Sequence, residues 1–224
     1  MSSINVIIHG FGGTTAEVAY LKEYLDKRGL NTRFIVLAGH GGTKHDLHKT
    51  GHNDWVKSAQ AEIAKLQRSY SEINLIGFSM GGLIVANLAR KYKVNKLVFI
   101  NTPIYFWNIK IILKNIIDDL RSGGRENIGY FRKSVFNVSL KSSIHFLHIL
   151  FKSKKILNGI RNQSLVLQCI NDETVRHKSA RYIQRKLGKN CRLRIYRGGC
   201  HQVFLKEPHL KNVFCQEIFR FLSN

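Results

Sequence analysis

The 224 residues, of which 44% are hydrophobic, 22% are charged and only two are proline, have the composition of one globular domain and exclude a chain of disordered linkers. The 36 Lys and Arg outnumber the 14 Asp and Glu to give a net charge of +22, which favours anionic partners. Because the basic residues are spread along the chain without a nucleic-acid-binding motif, we expect a solvated basic surface and no specific nucleic acid partner.

Apolar, β-rich runs alternate with helical patterns along the chain. The predicted strands are residues 4–9, 32–37, 73–78, 94–100, 165–170 and 192–196. The predicted helices are residues 16–28, 54–69, 80–91, 175–187 and 209–222, with Asn53 or Asp54 capping the second. Continuous apolar strands that alternate with helices are typical of a parallel sheet covered on both faces, so we expect an α/β fold with about six mostly parallel strands.

The alternation stops between Pro103 and Gly159, where the sequence is apolar and basic at once. Residues 109–120 and 144–151 have the pattern of helices. We interpret residues 103–159 as a small helical cap inserted into a single domain that spans residues 1–224. The apolar faces of the cap must pack partly on the main domain, and its excess of basic residues leaves open a weak contact with an anionic membrane surface.

The four cysteines have no C-x-x-C spacing and fall in or beside predicted core elements, where a free thiol packs as a small apolar group. They are Cys169, Cys191, Cys200 and Cys215. The apolar run at residues 4–8 is too short for a signal peptide, and no uncharged segment has membrane-spanning length. We therefore expect a cytoplasmic protein with reduced cysteines.

The spacing Gly77-x-Ser79-x-Gly81 lies between a predicted strand and a predicted helix. This is the pattern of a nucleophile elbow, a turn so tight that side chains at the flanking positions would clash. It holds a serine hydroxyl at the N-terminus of a helix, whose dipole favours developing negative charge. The context predicts that Ser79 is a catalytic nucleophile.

A serine hydroxyl needs a base, and the base needs an orienting carboxylate. In this kind of fold the chain order is Ser, then Asp or Glu, then His, on loops after later strands. Asp172 follows the strand at 165–170, and His201 follows the strand at 192–196. We predict Asp172 as the acid and His201 as the base. Glu173 remains an alternative acid, and Asp172 also suits the cap of the following helix.

The loop His9-Gly10-Phe11-Gly12-Gly13 follows the first predicted strand. An oxyanion hole needs two main-chain N–H donors, and we predict Met80, the residue after the nucleophile, and Phe11. Glycines beside Phe11 allow the backbone to approach a substrate closely. Phosphate binding is the competing interpretation, but the loop lacks both G-x-G-x-x-G and a P-loop lysine.

Four histidines follow the second predicted strand at positions that match no standard metal site, and no cysteine lies near them. They are His40, His45, His48 and His52. We expect solvated loop histidines, with no metal and no cofactor.

The chain resembles the α/β-hydrolase superfamily, in particular small bacterial carboxylesterases and monoacylglycerol lipases. The resemblance covers nearly the whole chain and rests on His9-Gly10-Phe11-Gly12-Gly13, Gly39-His40-Gly41, Asp54-Trp55, the elbow at residues 77–81, Asn171-Asp172 and Cys200-His201. It implies a cofactor-free serine hydrolase with a short mobile cap over an acyl pocket. The basicity of the chain and the sequence of its cap depart from the family.

The expected function is therefore hydrolysis of a small-molecule ester, with short- to medium-chain acyl esters or monoacylglycerol as substrates and a broad chain-length preference. A membrane-surface lipase or lysophospholipase that uses the basic cap is an alternative. A non-catalytic binding protein with the same fold is a second alternative, although such proteins usually lose a triad residue.

Overall fold

The computed structural model describes residues 3–105 and 140–224. Its six strands are β1 (Ser3–Ile8), β2 (Thr32–Ile35), β3 (Glu72–Phe78), β4 (Leu97–Ile100), β5 (Ser164–Cys169) and β6 (Cys191–Tyr196). Its α-helices are α1 (Ala19–Asp26), α2 (Lys44–Lys49), α3 (His52–Leu66), α4 (Met80–Lys91), α5 (Leu140–Ile156), α6 (Lys178–Leu187), α7 (Val203–Lys206) and α8 (Leu210–Ser223). Short 3-10 helices occupy Thr15–Val18, Leu157–Gly159 and Gly188–Asn190.

The strands form one sheet in the order β2-β1-β3-β4-β5-β6, and every neighbouring pair is parallel. The predicted six-stranded α/β architecture is confirmed. Because all strands point the same way, the loops after β1, β3, β4, β5 and β6 all leave at one edge of the sheet. That edge carries Ser79, Asp172 and His201, which are separated widely in the sequence.

Helices cover both faces of the sheet, as the unbroken apolar strands predict. Side chains alternate along β1: Ile4, Val6 and Ile8 join the core cluster under α3, α4, α5 and α6. Ile7 joins the cluster on the opposite face, which α1 and α8 cover. The sheet is thus buried on both sides, and only its loop-bearing edges are available for chemistry.

Several predicted helix boundaries are wrong. The predicted helix at 16–28 begins with a 3-10 turn before α1. Helix α2, capped by Thr43, lies between the second predicted strand and the helix predicted at 54–69, where no element is predicted. Helix α3 starts at His52, and its N-cap is Gly51 rather than Asn53 or Asp54. Asp54 instead accepts a hydrogen bond from the Gly51 N–H. The sequence pattern shows an apolar face but not the turn before it, which explains these errors.

The proposed cap lies largely outside the described residues, since residues 106–139 contain the predicted helix at 109–120. Helix α5 belongs to the described part and extends the predicted helix at 144–151 at both ends. It packs on α4: Ile149 and Leu150 are buried, and the Asn87 side chain donates to Ser153 Oγ at 2.9 Å. The division into a domain and an inserted cap stays a prediction.

All four cysteines are free thiols, as predicted. Burial raises the pKa of Cys191, Cys200 and Cys215 to about 12, so these thiols remain protonated and poor nucleophiles. Among the residues that the structure describes, no helix combines the length and the apolar character needed to cross a membrane.

Candidate active site

Ser79 lies at the junction of β3 and α4 with φ 51° and ψ −122°, a conformation that L side chains rarely adopt. The turn closes because glycines flank the serine. A Cβ on Gly77 would lie 2.4 Å from the main chain of Gly81 and Gly82, and a Cβ on Gly81 would lie 2.2 Å from the Ile8 carbonyl oxygen. The elbow that the sequence predicts is therefore present, with the Ser79 hydroxyl raised at the edge of the sheet.

The three predicted triad residues come together in a continuous hydrogen-bonded chain. His201 Nε2 lies 2.9 Å from Ser79 Oγ, and His201 Nδ1 lies 2.8 Å from Asp172 Oδ2. All three residues are buried: Asp172 is fully buried, His201 is 6% exposed and Ser79 is 8% exposed. The arrangement matches the geometry that a serine, a base and an orienting carboxylate require.

Asp172 is held by more than the histidine. Its Oδ1 accepts the main-chain N–H groups of Thr174 and Val175 at 2.8 and 2.7 Å, so the residue also makes the turn-capping contacts of a loop before a helix. Its Oδ2 accepts a longer bond, at 3.3 Å, from Gln168 Nε2. These donors fix the orientation of the carboxylate beside the imidazole.

Glu173, the alternative acid, bonds to the main chain rather than to the imidazole. Its Oε2 accepts the N–H of His201 at 3.0 Å. The carboxylate that contacts the ring is thus that of Asp172, while Glu173 fixes the backbone of the same histidine.

Asn101 supports the histidine loop, and the sequence analysis missed it. This residue follows β4, is fully buried and has φ 45°. Its Nδ2 donates to the His201 carbonyl oxygen at 3.0 Å, and its Oδ1 accepts the Cys169 N–H at 3.0 Å. The signal available in the sequence was an asparagine directly after a buried strand, a position where asparagine often adopts a positive φ.

The loop after β1 approaches the serine closely, since a Cβ on Gly10 would lie 3.3 Å from Ser79 Cβ. The main-chain N–H groups of Phe11 and Met80 donate to no group among the described residues. The Gly10 N–H, in contrast, donates to Glu17 Oε2 at 2.9 Å. The two predicted oxyanion donors are therefore available, and the neighbouring amide is already paired.

Glu17 is a second residue that the sequence analysis missed. Besides the Gly10 amide, it accepts a bond at 2.9 Å from the side chain of Gln202, the residue after His201. One carboxylate therefore joins the glycine-rich loop to the histidine loop. Its position in a short 3-10 turn gave no sequence signal for this role.

An aromatic cluster lies beside the glycine-rich loop. The Phe11 ring stacks on Phe146 of α5 at 5.2 Å between centroids and lies 5.5 Å from Trp55. His40 packs edge-on against Trp55 at 5.4 Å. This cluster gives the loop an apolar flank next to the Ser79 region.

The four histidines grouped in the sequence analysis have different surroundings. His45 and His48 are exposed on α2, in agreement with the prediction. His40 is buried, and burial lowers its pKa to about 4, so the prediction of a solvated side chain is wrong there. His52 is partly buried and lies with His145 and His148 of α5, a grouping that sequence spacing could not reveal.

Two opposing effects act on the pKa of His201. Burial alone lowers this pKa, whereas the charge of Asp172 and its hydrogen bond to the ring raise it, helped by Glu173 and Glu17. The net direction is upward from the ordinary value of 6.5. The surroundings thus favour the imidazolium, the form that a general base takes after it accepts a proton.

The sequence model of the hydrolase family described as "Serine aminopeptidase, S33" matches residues 2–118, just over half of the chain. The chain belongs to this family. A carboxylesterase of Bacillus subtilis (strain 168) is 23% identical over 97% of this chain and 91% of the relative. A thermostable monoacylglycerol lipase of Bacillus sp. (strain H-257) is 32% identical over 39% of this chain and 35% of the relative.

Solved structures share the whole fold of this family member. One of the metagenome-derived lipolytic enzymes LipS and LipT superposes with a TM-score of 0.80 at 16% identity, covering 99% of this chain and 93% of that chain. A monoacylglycerol lipase of Paleococcus ferrophilus superposes with a TM-score of 0.73 at 18% identity, covering 98% of this chain and 93% of that chain. The chain has the α/β-hydrolase fold that the sequence resemblance implies.

A titration of the histidine ring tests the site geometry directly. In ring NMR spectra, we expect His201 to titrate above 6.5 in the native chain. Asp172→Asn removes the favourable charge while the ring stays buried, so the pKa of His201 should fall. Glu173→Gln is the matched control and should lower it less, because Glu173 accepts from the main-chain N–H of His201 and not from the ring. A native pKa below 6.5, or a larger fall in Glu173→Gln, would contradict the geometry.

Proposed function

We propose that this α/β-hydrolase cleaves carboxylic esters with Ser79 as nucleophile, His201 as general base and Asp172 as the residue that orients the histidine. The observation that carries the proposal is a pair of buried hydrogen bonds, of 2.9 and 2.8 Å, that joins these three side chains at the elbow. A relative that aligns with 97% of the chain is a carboxylesterase by name, which supports an ester as the substrate.

The hydrogen bonds fix the protonation needed at the start of the reaction. Asp172 is an acceptor, so His201 carries its proton on Nδ1 and presents the Nε2 lone pair to the Ser79 hydroxyl. As Ser79 Oγ attacks the ester carbonyl carbon, its proton moves to Nε2. The resulting imidazolium is stabilised by the Asp172 charge, in keeping with the upward direction of its pKa.

The carbonyl oxygen becomes an oxyanion in this step, and the N–H groups of Phe11 and Met80 are the proposed donors. One such donor contributes about 2.7–4 kcal/mol to transition-state stabilisation. Collapse of the intermediate breaks the bond to the alcohol, which leaves with the proton from His201. Water then attacks the acyl-enzyme, with His201 again as base, and frees the acid. These steps need no cofactor.

The proposed substrates are short- to medium-chain acyl esters or monoacylglycerol. The stacked and partly exposed rings of Phe11 and Phe146, which pack on the buried Trp55, offer an apolar surface for an acyl chain next to the oxyanion loop. Apolar contacts distinguish substrates that differ by one methylene by only about 1–3 kcal/mol. A broad chain-length preference follows.

Replacement of the serine tests this function. Ser79→Ala should lower kcat for p-nitrophenyl butyrate by at least about 10⁴-fold, because the nucleophile is lost while the fold remains. Ser223→Ala, an exposed serine at the end of α8, is the control and should keep full activity. The same assays are run with aminoacyl p-nitroanilides, because the family description names an aminopeptidase. Retained ester hydrolysis in Ser79→Ala, or kcat/KM higher for the anilides than for the esters, would contradict the proposal.

The exposed face of α5 favours a second candidate, a lipase that acts at an anionic membrane surface. Two large apolar side chains two turns apart, Ile144 and Phe151, are 47% and 57% exposed. Lys141, Lys152 and Lys155 are exposed on the same helix. Apolar side chains flanked by lysines are the pattern of helices that lie in the headgroup region of anionic lipid. We propose that the enzyme contacts such surfaces through this face.

Sedimentation with vesicles tests the membrane contact. The double variant Ile144→Ser/Phe151→Ser should bind phosphatidylglycerol vesicles at least about tenfold less tightly. The reason is that it lacks the two apolar side chains that would otherwise transfer from water into the lipid. Binding of the native chain should weaken with salt, which screens the lysines. Val36→Ser changes an equally exposed apolar residue elsewhere and is the control. Equal binding by the double variant and the control would exclude this candidate.

A further inference from the structure

Three histidines meet where α5 crosses the start of α3. His52 is the first residue of α3, and His145 and His148 lie one turn apart on α5. One ring nitrogen from each side chain can be chosen so that all three lie within 4.8 Å of one another. The closest pair, His52 Nδ1 and His145 Nδ1, is 3.1 Å apart. Residues 93 positions apart in the sequence thus present their ring nitrogens to one small volume.

Packing holds the histidines in this arrangement. The ring of His145 lies against the main chain of Gly51, where a Cβ would be 2.8 Å from the ring carbon Cε1 and 3.0 Å from Nδ1 and Nε2. Helix α5 itself is anchored by the buried side chains of Ile149 and Leu150. The helix is therefore fixed on α4, and the approach of the His145 ring depends on a glycine at the N-cap of α3.

The protonation of the cluster suits a ligand set. The hydrogen bond between His52 Nδ1 and His145 Nδ1 uses the proton of one ring and the lone pair of the other, so at least one of the two rings is neutral. Neutral imidazole is the form that binds metal ions.

We propose that His52, His145 and His148 form a zinc-binding site that joins α5 to α3. Zinc–nitrogen bonds of about 2.0–2.1 Å in tetrahedral geometry place ligand nitrogens about 3.4 Å apart. The present separations of 3.1 Å and up to 4.8 Å reach that spacing through small ring rotations. Three protein ligands leave the fourth position to water, and the exposure of His148 gives the ion an entry path.

This site is separate from the triad but connected to it through one side chain. Phe146, next to His145 on α5, stacks on Phe11 of the glycine-rich loop. A zinc ion would fasten α5 to α3 beside that loop, so the bound ion stabilises the folded chain. His40, His45 and His48, which the sequence groups with His52, contribute no ligand to this cluster.

Zinc titration of tag-free protein, in competition with a chromophoric chelator, tests the proposal. The native chain should bind one zinc ion with a Kd of about 10 µM or tighter, and its thermal midpoint should rise with zinc. His148→Ala removes an exposed ligand and should weaken binding at least about tenfold. His52→Ala should do the same. His45→Ala, an exposed histidine on α2, is the control and should bind like the native chain.

Two further measurements exclude indirect effects. Thermal midpoints of all variants in EDTA show that each is folded before metal is added. Co²⁺ in place of zinc should give the intense visible absorption of four-coordinate cobalt in the native chain and in His45→Ala only. The proposal is overturned if the native chain binds no zinc, or if folded His148→Ala and His52→Ala bind zinc as tightly as His45→Ala.

Discussion

The tight turn at Ser79 is the constraint on which the rest of the site depends. Holding a serine at φ 51° costs about 1–3 kcal/mol of backbone strain. Close packing of β3, α4 and β1 around the turn holds it in this conformation. The same packing leaves room only for glycine at positions 77 and 81. In return, the hydroxyl sits at the start of α4, at the loop-bearing edge of a fully parallel sheet, within 2.9 Å of the base.

Buried hydrogen bonds hold the partners of this serine in position. Asp172 receives two main-chain N–H groups, Asn101 holds the carbonyl oxygen of His201, and Glu17 links the glycine-rich loop to the histidine loop. An unpaired polar group at these depths would cost about 1–3 kcal/mol, so the pairing of these particular groups stabilises the site. The side chains proposed to react are therefore preorganised, which is the main source of catalytic power in sites that stabilise developing charge.

The sequence could predict the sheet, the elbow and the three proposed catalytic side chains because those features have local signatures. Apolar runs give the strands, and glycine spacing gives the turn at Ser79. It could not predict the supporting contacts of Asn101 and Glu17, or the meeting of His52 with His145 and His148, because these depend on how distant loops and helices pack. Helix starts at Ala19 and His52 were missed for a related reason: caps are set by backbone geometry that periodicity does not encode.

The proposal that Ser79 is an activated nucleophile is tested most directly by its reaction with a fluorophosphonate. The reagent forms a covalent bond to a serine only where the hydroxyl is deprotonated by a positioned base, so reaction reports the serine and the histidine together. We predict one adduct per chain, mapped by mass spectrometry to Ser79, and labelling that is lost in His201→Ala. A native chain that remains unlabelled, or that is labelled at another residue, would contradict the account and favour a non-catalytic binding protein.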